Sequence, residues 1–499
     1  MQMDDIAVVG FGPVGACFAG LVAKSGLKVA VIERDREVFP LPRAAHIDHT
    51  GLRAVQEVGC LDEVLVDMVR NKRLDLLNAD HEVLVRTRAD QASVSGLPTS
   101  IYFYQPDFDQ SLRDAVAAHD DATIFLGTEM TGMQDHGDHV ELNLHDQGGD
   151  QSTIQAKWVV GCDGAWSPVR EALGIKLNSL NFDEQWLVVD LLLDAPQANL
   201  RTDHAVEICD PKRPYLSTPI STTRHRFEMM LLPGETAENI DKDKIVGRRL
   251  KSWFPDGGYT IERSAVYTFH GVVAERWKQG RIFIAGDAAH QTPPFLGQGM
   301  VAGLRDASNL AWKLVAVTQG TLPESVLDSY EVERKPHATK VIEAAIRIGK
   351  VICELDPEKA RERDKRLLAN DPTTHEALVF KNPPLEPSEI VLSGGGTLFI
   401  QPEIDGRKLD DIVGSRFLVL ARDKATLGDT AGWWTSQLDA RVATLAELKS
   451  PELAAWLDRK SVDVVVVRPD RYVLGTGSSL DEITKQVASY FERPQVAAQ

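Results

Sequence analysis

The sequence predicts an α/β fold of several domains, and three observations support that class. At the N-terminus, short apolar runs suited to buried parallel strands alternate with helical sequence. Two later runs of the same kind, near 158–164 and 281–287, end in an aspartate beside a glycine. A stretch with Pro372, Pro383, Pro384 and Pro387 then precedes a last segment that again alternates strand and helix patterns. At 499 residues the chain has room for about three domains.

The elements follow in order. Ile6–Val9 reads as a strand, Gly10-Phe11-Gly12-Pro13-Val14-Gly15 as a turn, Ala16–Lys24 as a helix and Lys28–Ile32 as a second strand. The uncharged stretch Ile6–Ala23 approaches the length of a membrane span. Its acidic flank (Asp4, Asp5) and its Pro13 and glycines speak instead for a turn. Gly10, Gly12 and Gly15 form a GxGxxG pattern, the Rossmann-like signature of a turn that brings backbone close to a pyrophosphate at a helix N-terminus. Glu33 ends the second strand, where it can accept ribose hydroxyls, and its charge opposes a 2′-phosphate. The motif alone does not separate NAD from FAD.

Trp158–Gly161 is a further strand and leads into Cys162-Asp163-Gly164; Arg281–Ala285 leads into Gly286-Asp287. Asp163 and Asp287 read either as turn residues or as carboxylates reaching a cofactor crevice at strand ends. Ser167 with Pro168 signals a helix start, and after Gly299 the residues Leu304, Ala307, Ala311, Leu314 and Val315 keep helical spacing. Trp186–Leu193, Phe227–Leu232 and Ala265–Phe269 look like a separate sheet inserted into the nucleotide domain. The highly charged 354–366 reads as a helix end, followed by an extended linker. Phe417–Leu420 and Val462–Val467 are buried strands of a small α/β domain.

Lys plus Arg is 55 against 73 Asp plus Glu, a net charge of −18, which excludes a basic nucleic-acid surface. The nearest basic cluster, Arg70, Lys72 and Arg73, reads as a solvated helix end. Five cysteines without CxxC spacing fit a reducing, cytoplasmic compartment and suggest neither zinc nor a dithiol centre.

Three motifs together carry a resemblance. GFGPVG (10–15), VVGCDGAWSPVR (159–170) and GRIFIAGDAAHQTPPFLGQGMVAGLRDASNLAWKL (280–314) resemble, in order, the glycine, DG and GD motifs of the single-component flavoprotein aromatic hydroxylases. Within that family the chain is most similar to the 3-(3-hydroxyphenyl)propionate hydroxylases. PRAAHIDHTGLR (42–53), QWLVVD (185–190), CDPKRP (209–214), HRFEMMLLPGE (225–235) and VYTFHG (266–271) support this, and RPDRYVLG (468–475) resembles the family's thioredoxin-like tail.

The resemblance implies a Rossmann-like FAD-binding domain (1–75, 106–178, 276–350) interleaved with a mixed β-sheet substrate domain (76–105, 179–275). A linker (351–395) and a thioredoxin-like domain without CxxC (396–492) complete the expected layout. It implies that Gly10, Gly12, Pro13 and Gly15 hold the FAD pyrophosphate, and Glu33 and Arg34 the adenosine end. Arg43 and Gln105 would lie along the cofactor, Asp163 and Gly164 beside it, and Asp287 at the ribityl chain. Pro293 and Pro294 would line the substrate side. Gly297, Gln298, Gly299 and Met300 would aim helix N–H groups at the flavin's pyrimidine end.

The implied chemistry is consumption of NADH or NADPH and dioxygen, with oxygen transferred to a phenol through a flavin C4a-hydroperoxide. A phenol titrates near pH ~10, so a base is useful. Asp48, with His46 beside it, is the candidate; the competing reading is that Asp48 caps the helix Thr50–Val58. Tyr215, Arg224 and His225, with His204 and Arg226, are polar candidates for holding substrate. Two departures stand out: Pro294-Phe295-Leu296 replaces the subgroup's Val-Trp-Gln, and His49 replaces an acidic residue. The pocket is thus open to a different ring substituent. Hydroxylation of a larger phenolic polyketide or antibiotic, and a flavin reductase or dehydrogenase without oxygen transfer, are the alternatives. The expected partner is a small phenol, with no metal, nucleic acid or membrane; a homodimer is compatible. Since Cys353 is the last cysteine, thiol chemistry in the tail is excluded.

Overall fold

The computed structural model describes residues 3–195, 203–375, 378 and 380–492. Its first sheet runs in the order Lys278–Gln279, Ile282–Ile284, Gln151–Gly161, Met3–Val9, Val29–Glu33, Ala122–Leu126. Met3–Val9 pairs in parallel with both Val29–Glu33 and Gln151–Gly161, and the latter in parallel with Ile282–Ile284. Three chain segments far apart in sequence thus end side by side at Val9, Gly161 and Ile284. The apolar runs are continuous because helices cover this sheet: Ile6, Val8, Val31, Val159 and Phe283 are all buried. The stretch Ile6–Ala23 is strand, turn and the helix Pro13–Ala23. Among the described residues no helix is long and apolar enough to cross a membrane.

The second sheet runs His290–Gln291, Tyr259–Ala274, Leu177–Leu193, Arg224–Met230, Tyr215–Pro219, Ala205–Ile208, Arg73–Leu77, Val83–Arg88. Its strands Ala205–Ile208, Tyr215–Pro219 and Arg224–Met230 alternate in facing. Val206, Ile208, Tyr215, Phe227 and Met229 form one apolar core with Leu187, Val189 and Leu250 on the far side. The strand Arg73–Leu77 lies across the boundary expected at 75, and Leu177–Leu193 begins before the one expected at 179. Arg70 and Arg73 stand on short strands rather than at a helix end, and Arg73 pairs with Asp75 at 3.1 Å.

The long helix Ser329–Ile352 is followed by a second one, Pro357–Leu368. The charged segment is therefore a helix of its own rather than a helix end. Asp356 starts it by accepting from the N–H groups of Glu358 and Lys359.

The C-terminal part has a four-stranded sheet, Arg441–Thr444, Leu418–Ala421, Val464–Val467, Val473–Gly477. Buried charges fasten it to the rest. Arg53 donates to Asp410 and to the Phe399 carbonyl, Arg471 pairs with Glu57, and Arg468 reaches Glu333 at 2.8 Å.

Candidate cofactor and substrate site

The GxGxxG turn divides its labour. Gly10 has φ +99°, and a Cβ there would meet the Cys162 carbonyl oxygen at 2.4 Å. A Cβ at Gly15 would lie 2.0 Å from the Gly10 oxygen. These two glycines let helix and strands close up. Gly12 is different: nothing lies within 4 Å of its Cβ position, so it opens onto free space. The helix Pro13–Ala23 begins there with no side-chain cap, which leaves its first N–H groups available.

Glu33 accepts from Phe11 N–H (2.7 Å) and Asp35 N–H (3.0 Å), and Arg113 stands 3.8 Å away. A crevice past it is lined by Gly10, Gly12, Pro13, Arg34, Arg43, Gln105, Asp163 and Gly164. Gln105 takes Arg43 N–H and Ala44 N–H on its Oε1, at 2.8 and 2.7 Å, and so sets the course of the Arg43 loop. Its amide donates to Asp109, whose carboxyl burial pushes up to about 7. Asp163 accepts from Val169 N–H at 2.9 Å, while its buried Oδ1 has no partner. Burial raises its pKa.

The crevice opens into a cavity of about 400 Å³. Asp287, Gly12, Pro13 and Gly164 border one end. One wall is Thr292, Pro294, Phe295, Leu296, Gly297, Gly299 and Met300; the opposite wall is one face of the second sheet. Asp287 is open to this space, and desolvation by the surrounding protein raises its pKa. The helix Gly299–Thr318 starts at this wall without a side-chain cap. Gly297 has φ +60°, and a Cβ there would come within 2.6 Å of His46 Nδ1.

The residues fit a flavin dinucleotide: an open glycine cradle, two uncapped helix N-termini, a ribose-side carboxylate and an unpaired Asp163 oxygen meet in one continuous space. The comparisons agree. A family model described as FAD binding domain matches residues 3–345, and one described as HcaD C-terminal domain matches 396–491. The chain belongs to the FAD-binding monooxygenase family. A 3-(3-hydroxy-phenyl)propionate/3-hydroxycinnamic acid hydroxylase of Mycolicibacterium gilvum is 33% identical, over 94% of this chain and 88% of its own. A protein of Rhodococcus jostii named probable NADH-specific resorcinol 4-hydroxylase is 32% identical, over 96% and 93%. The fold matches aklavinone-11 hydroxylase in complex with FAD and aklavinone, with TM-score 0.83, 23% identity and coverage of 99% and 100%. It also matches the flavin-dependent monooxygenase PieE, with TM-score 0.84 and 19% identity over 99% and 100%.

Within this FAD-binding chain, several candidate residues stand elsewhere than expected. Asp48 lies behind the cavity wall and caps the helix His49–Val58, accepting from Thr50 N–H (2.8 Å) and Gly51 N–H (3.2 Å). Its other oxygen takes Gln298 Nε2 and Arg305 Nη2, at 3.1 and 2.9 Å. Burial alone would raise its pKa, but Arg305, His49 and these bonds outweigh it and hold the carboxylate well below its usual range. A carboxylate so held is a poor proton acceptor; Asp48 is a cap and an anchor. Gln298 turns its side chain into this cluster, so only its backbone belongs to the helix start. Pro293 is buried and lies outside the cavity lining.

Tyr215 and His225 point to the far side of the sheet. Tyr215 lies against Arg249, and His225 meets Ser217 Oγ at 2.8 Å. Burial drops His225 to about 3. The cause is strand parity: a shift of one position reverses the face. Arg224 stacks over Tyr104 and pairs with Glu262, and His204 is held by Asp203; neither lines the cavity. Of these candidates Arg226 does line the cavity, as do the neighbours of the others, Leu216 and Glu228, with Asn71, Tyr102, Glu207 and Thr218. Arg226 bonds Asp190 and the carbonyls of Pro42 and Arg43, so it tethers the Arg43 loop to the sheet.

His46 does line the cavity. Its Nδ1 meets the Gly297 carbonyl at 3.2 Å and its Nε2 the Ser100 hydroxyl at 2.5 Å. A carbonyl only accepts, so Nδ1 carries the hydrogen and Nε2 accepts from Ser100. Burial lowers its pKa and keeps the ring neutral. Asn71 donates to the same Ser100 oxygen at 3.0 Å.

Proposed function

We propose that this chain is an NAD(P)H-consuming aromatic monooxygenase that hydroxylates a phenol. The carrying observation is the single space that runs from the glycine cradle past Asp287 to the polar face of the second sheet. Bound FAD would supply the redox chemistry, accepting a hydride from the nicotinamide and activating dioxygen.

The chain supplies binding and control. Gly12 and the N–H groups behind it receive the pyrophosphate, Glu33 the ribose, and Asp287 the ribityl hydroxyls. Arg34, Arg43, Asp163 and Gly164 line the path between them. The uncapped helix start at Gly297–Met300 favours negative charge on the ring system placed against it. The phenol lies between that wall and the sheet. Neutral His46, on the cavity wall with its Nε2 accepting from Ser100 behind it, is the titratable group offered to a proton the phenol releases.

The cavity of about 400 Å³ would take the flavin ring with a small phenol beside it. The names of the relatives give 3-(3-hydroxyphenyl)propionate and resorcinol as the first substrates to try. The test is oxygen uptake and product analysis with the purified yellow protein, NADH or NADPH, and a panel of phenols. Hydroxylated product in step with oxygen consumed supports the reading. Nicotinamide oxidation that yields only peroxide with every phenol overturns it in favour of a reductase.

A further inference from the structure

Glu207 and Glu228 are the two acids on the sheet wall of the cavity. Glu207 is register partner to Leu216, and Leu216 to Glu228, so the carboxyls flank one leucine across three neighbouring strands. Both residues are only 6% exposed. Glu228 has Arg226 at 3.6 Å. Among the described residues Glu207 has no cation in an ion pair with it, and its buried Oε2 has no hydrogen-bond partner. Its charged neighbour is Glu228, and Cys209 and Cys353 are packed near it as neutral thiols. Burial, then Glu228, pushes Glu207 up to about 8.

The cation on the sheet wall is already engaged: Arg226 spends its donors on Asp190 and on the Pro42 and Arg43 carbonyls. Arg43 lies where the cavity meets the Glu33 crevice, with its guanidinium 4.9 Å from the Phe39 ring. A substrate carboxylate pressed against the sheet between Glu207 and Glu228 would be desolvated beside two acids, with Arg226, the cation on that wall, already engaged. A hydroxyl would instead find an acceptor and, on neutral Glu207, a donor.

We propose that Glu207 and Glu228 make the sheet wall a selector for an uncharged, hydroxyl-bearing ring substituent and against a carboxylate side chain. This rests on the hydroxylase reading and narrows its substrate class to neutral polyphenols such as a resorcinol. It also gives a physical content to the sequence departures on the facing wall, where apolar Pro294-Phe295-Leu296 offers a carboxylate no donor side chain.

The test is ligand binding to the oxidised FAD-loaded protein, read by perturbation of the flavin absorbance. The matched ligands are 3-(3-hydroxyphenyl)propionate and 3-(3-hydroxyphenyl)propan-1-ol, with resorcinol alongside. The alcohol and resorcinol are expected to bind at least about tenfold more tightly than the acid. In Glu207→Gln/Glu228→Gln, with flavin content as the folding control, that preference should fall by about tenfold, since a like charge in a partly dry wall is worth at least that much. Equal or tighter binding of the acid by the unaltered protein overturns the inference without any variant. So does a preference that survives in the double variant. If phenols bind and are hydroxylated but the acid is preferred, the hydroxylase reading stands and this inference alone falls. If no phenol perturbs the flavin, both fall.

Discussion

Replacing Glu333 by glutamine would remove one negative charge from between two buried cations. Glu333 lies on the helix Ser329–Ile352 and accepts from Lys313 Nζ (3.0 Å), Asn309 Nδ2 (2.8 Å) and Arg468 Nη1 (2.8 Å). The first two belong to the helix Gly299–Thr318 and the third to the C-terminal part, so this carboxylate joins them. Burial would raise its pKa, but Arg468 and Lys313 outweigh burial and hold it down to about 2, against an ordinary 4.5. At ~1.4 kcal/mol per pH unit that gap is roughly 3 kcal/mol, the order expected for leaving a buried cation unpaired. The same burial lowers Lys313 to about 8, so the cluster as a whole is worth less than the cost of breaking it. Because the folded value lies below the unfolded one, the stabilisation is complete above pH 4.5 and is lost as pH falls through 2. Urea unfolding of the FAD-loaded protein should show Glu333→Gln weaker by about 3 kcal/mol at neutral pH, with the difference shrinking on acidification below the ordinary carboxyl value. A loss under about 1 kcal/mol, or one that grows in acid, would refute the reasoning.

Other perturbations separate roles within the site. Gly12→Ala should leave the apoprotein's melting temperature nearly unchanged yet weaken FAD binding by about tenfold or more in a flavin fluorescence titration, because its methyl enters the open cradle alone. Gly15→Ala should lower the apoprotein's stability by roughly 1–3 kcal/mol, because its methyl must displace backbone. Asp48→Asn should destabilise the protein by about 3 kcal/mol through the loss of Arg305's partner, while the pH profile of phenol hydroxylation stays where it was; a moved profile would restore Asp48 as the base.

The cofactor side was legible in sequence because its signals are local. A glycine forced to φ +99°, a strand that stops at an acid and a helix that starts without a cap each leave a mark within a few residues. The substrate side was not, because strand facing is a property of register, and register is set by partners far away in sequence. His225 and Arg226 read alike in a row, yet one packs behind the sheet and the other faces the cavity. A sharper signal was present in Val206-Glu207-Ile208 and Phe227-Glu228-Met229: an acid between two apolar neighbours in a strand must face something other than the core. Asp48 shows the opposite failure. An acid just before a helical run fits both a cap and a base, and only Arg305, far along the chain, decides between them.

The alternation of the strands Ala205–Ile208, Tyr215–Pro219 and Arg224–Met230 has a consequence for how such a chain can change its diet. Positions 205, 207, 216, 218, 226 and 228 line the cavity, while the residues between them belong to a packing layer on the other face. Mutation of the first set can therefore explore new chemistry without disturbing the layer that keeps the sheet in shape. Arg226 is the exception, since it also tethers the cofactor loop. A combinatorial library that spares Arg226 and randomises the other five would sample new substrates on an unaltered scaffold.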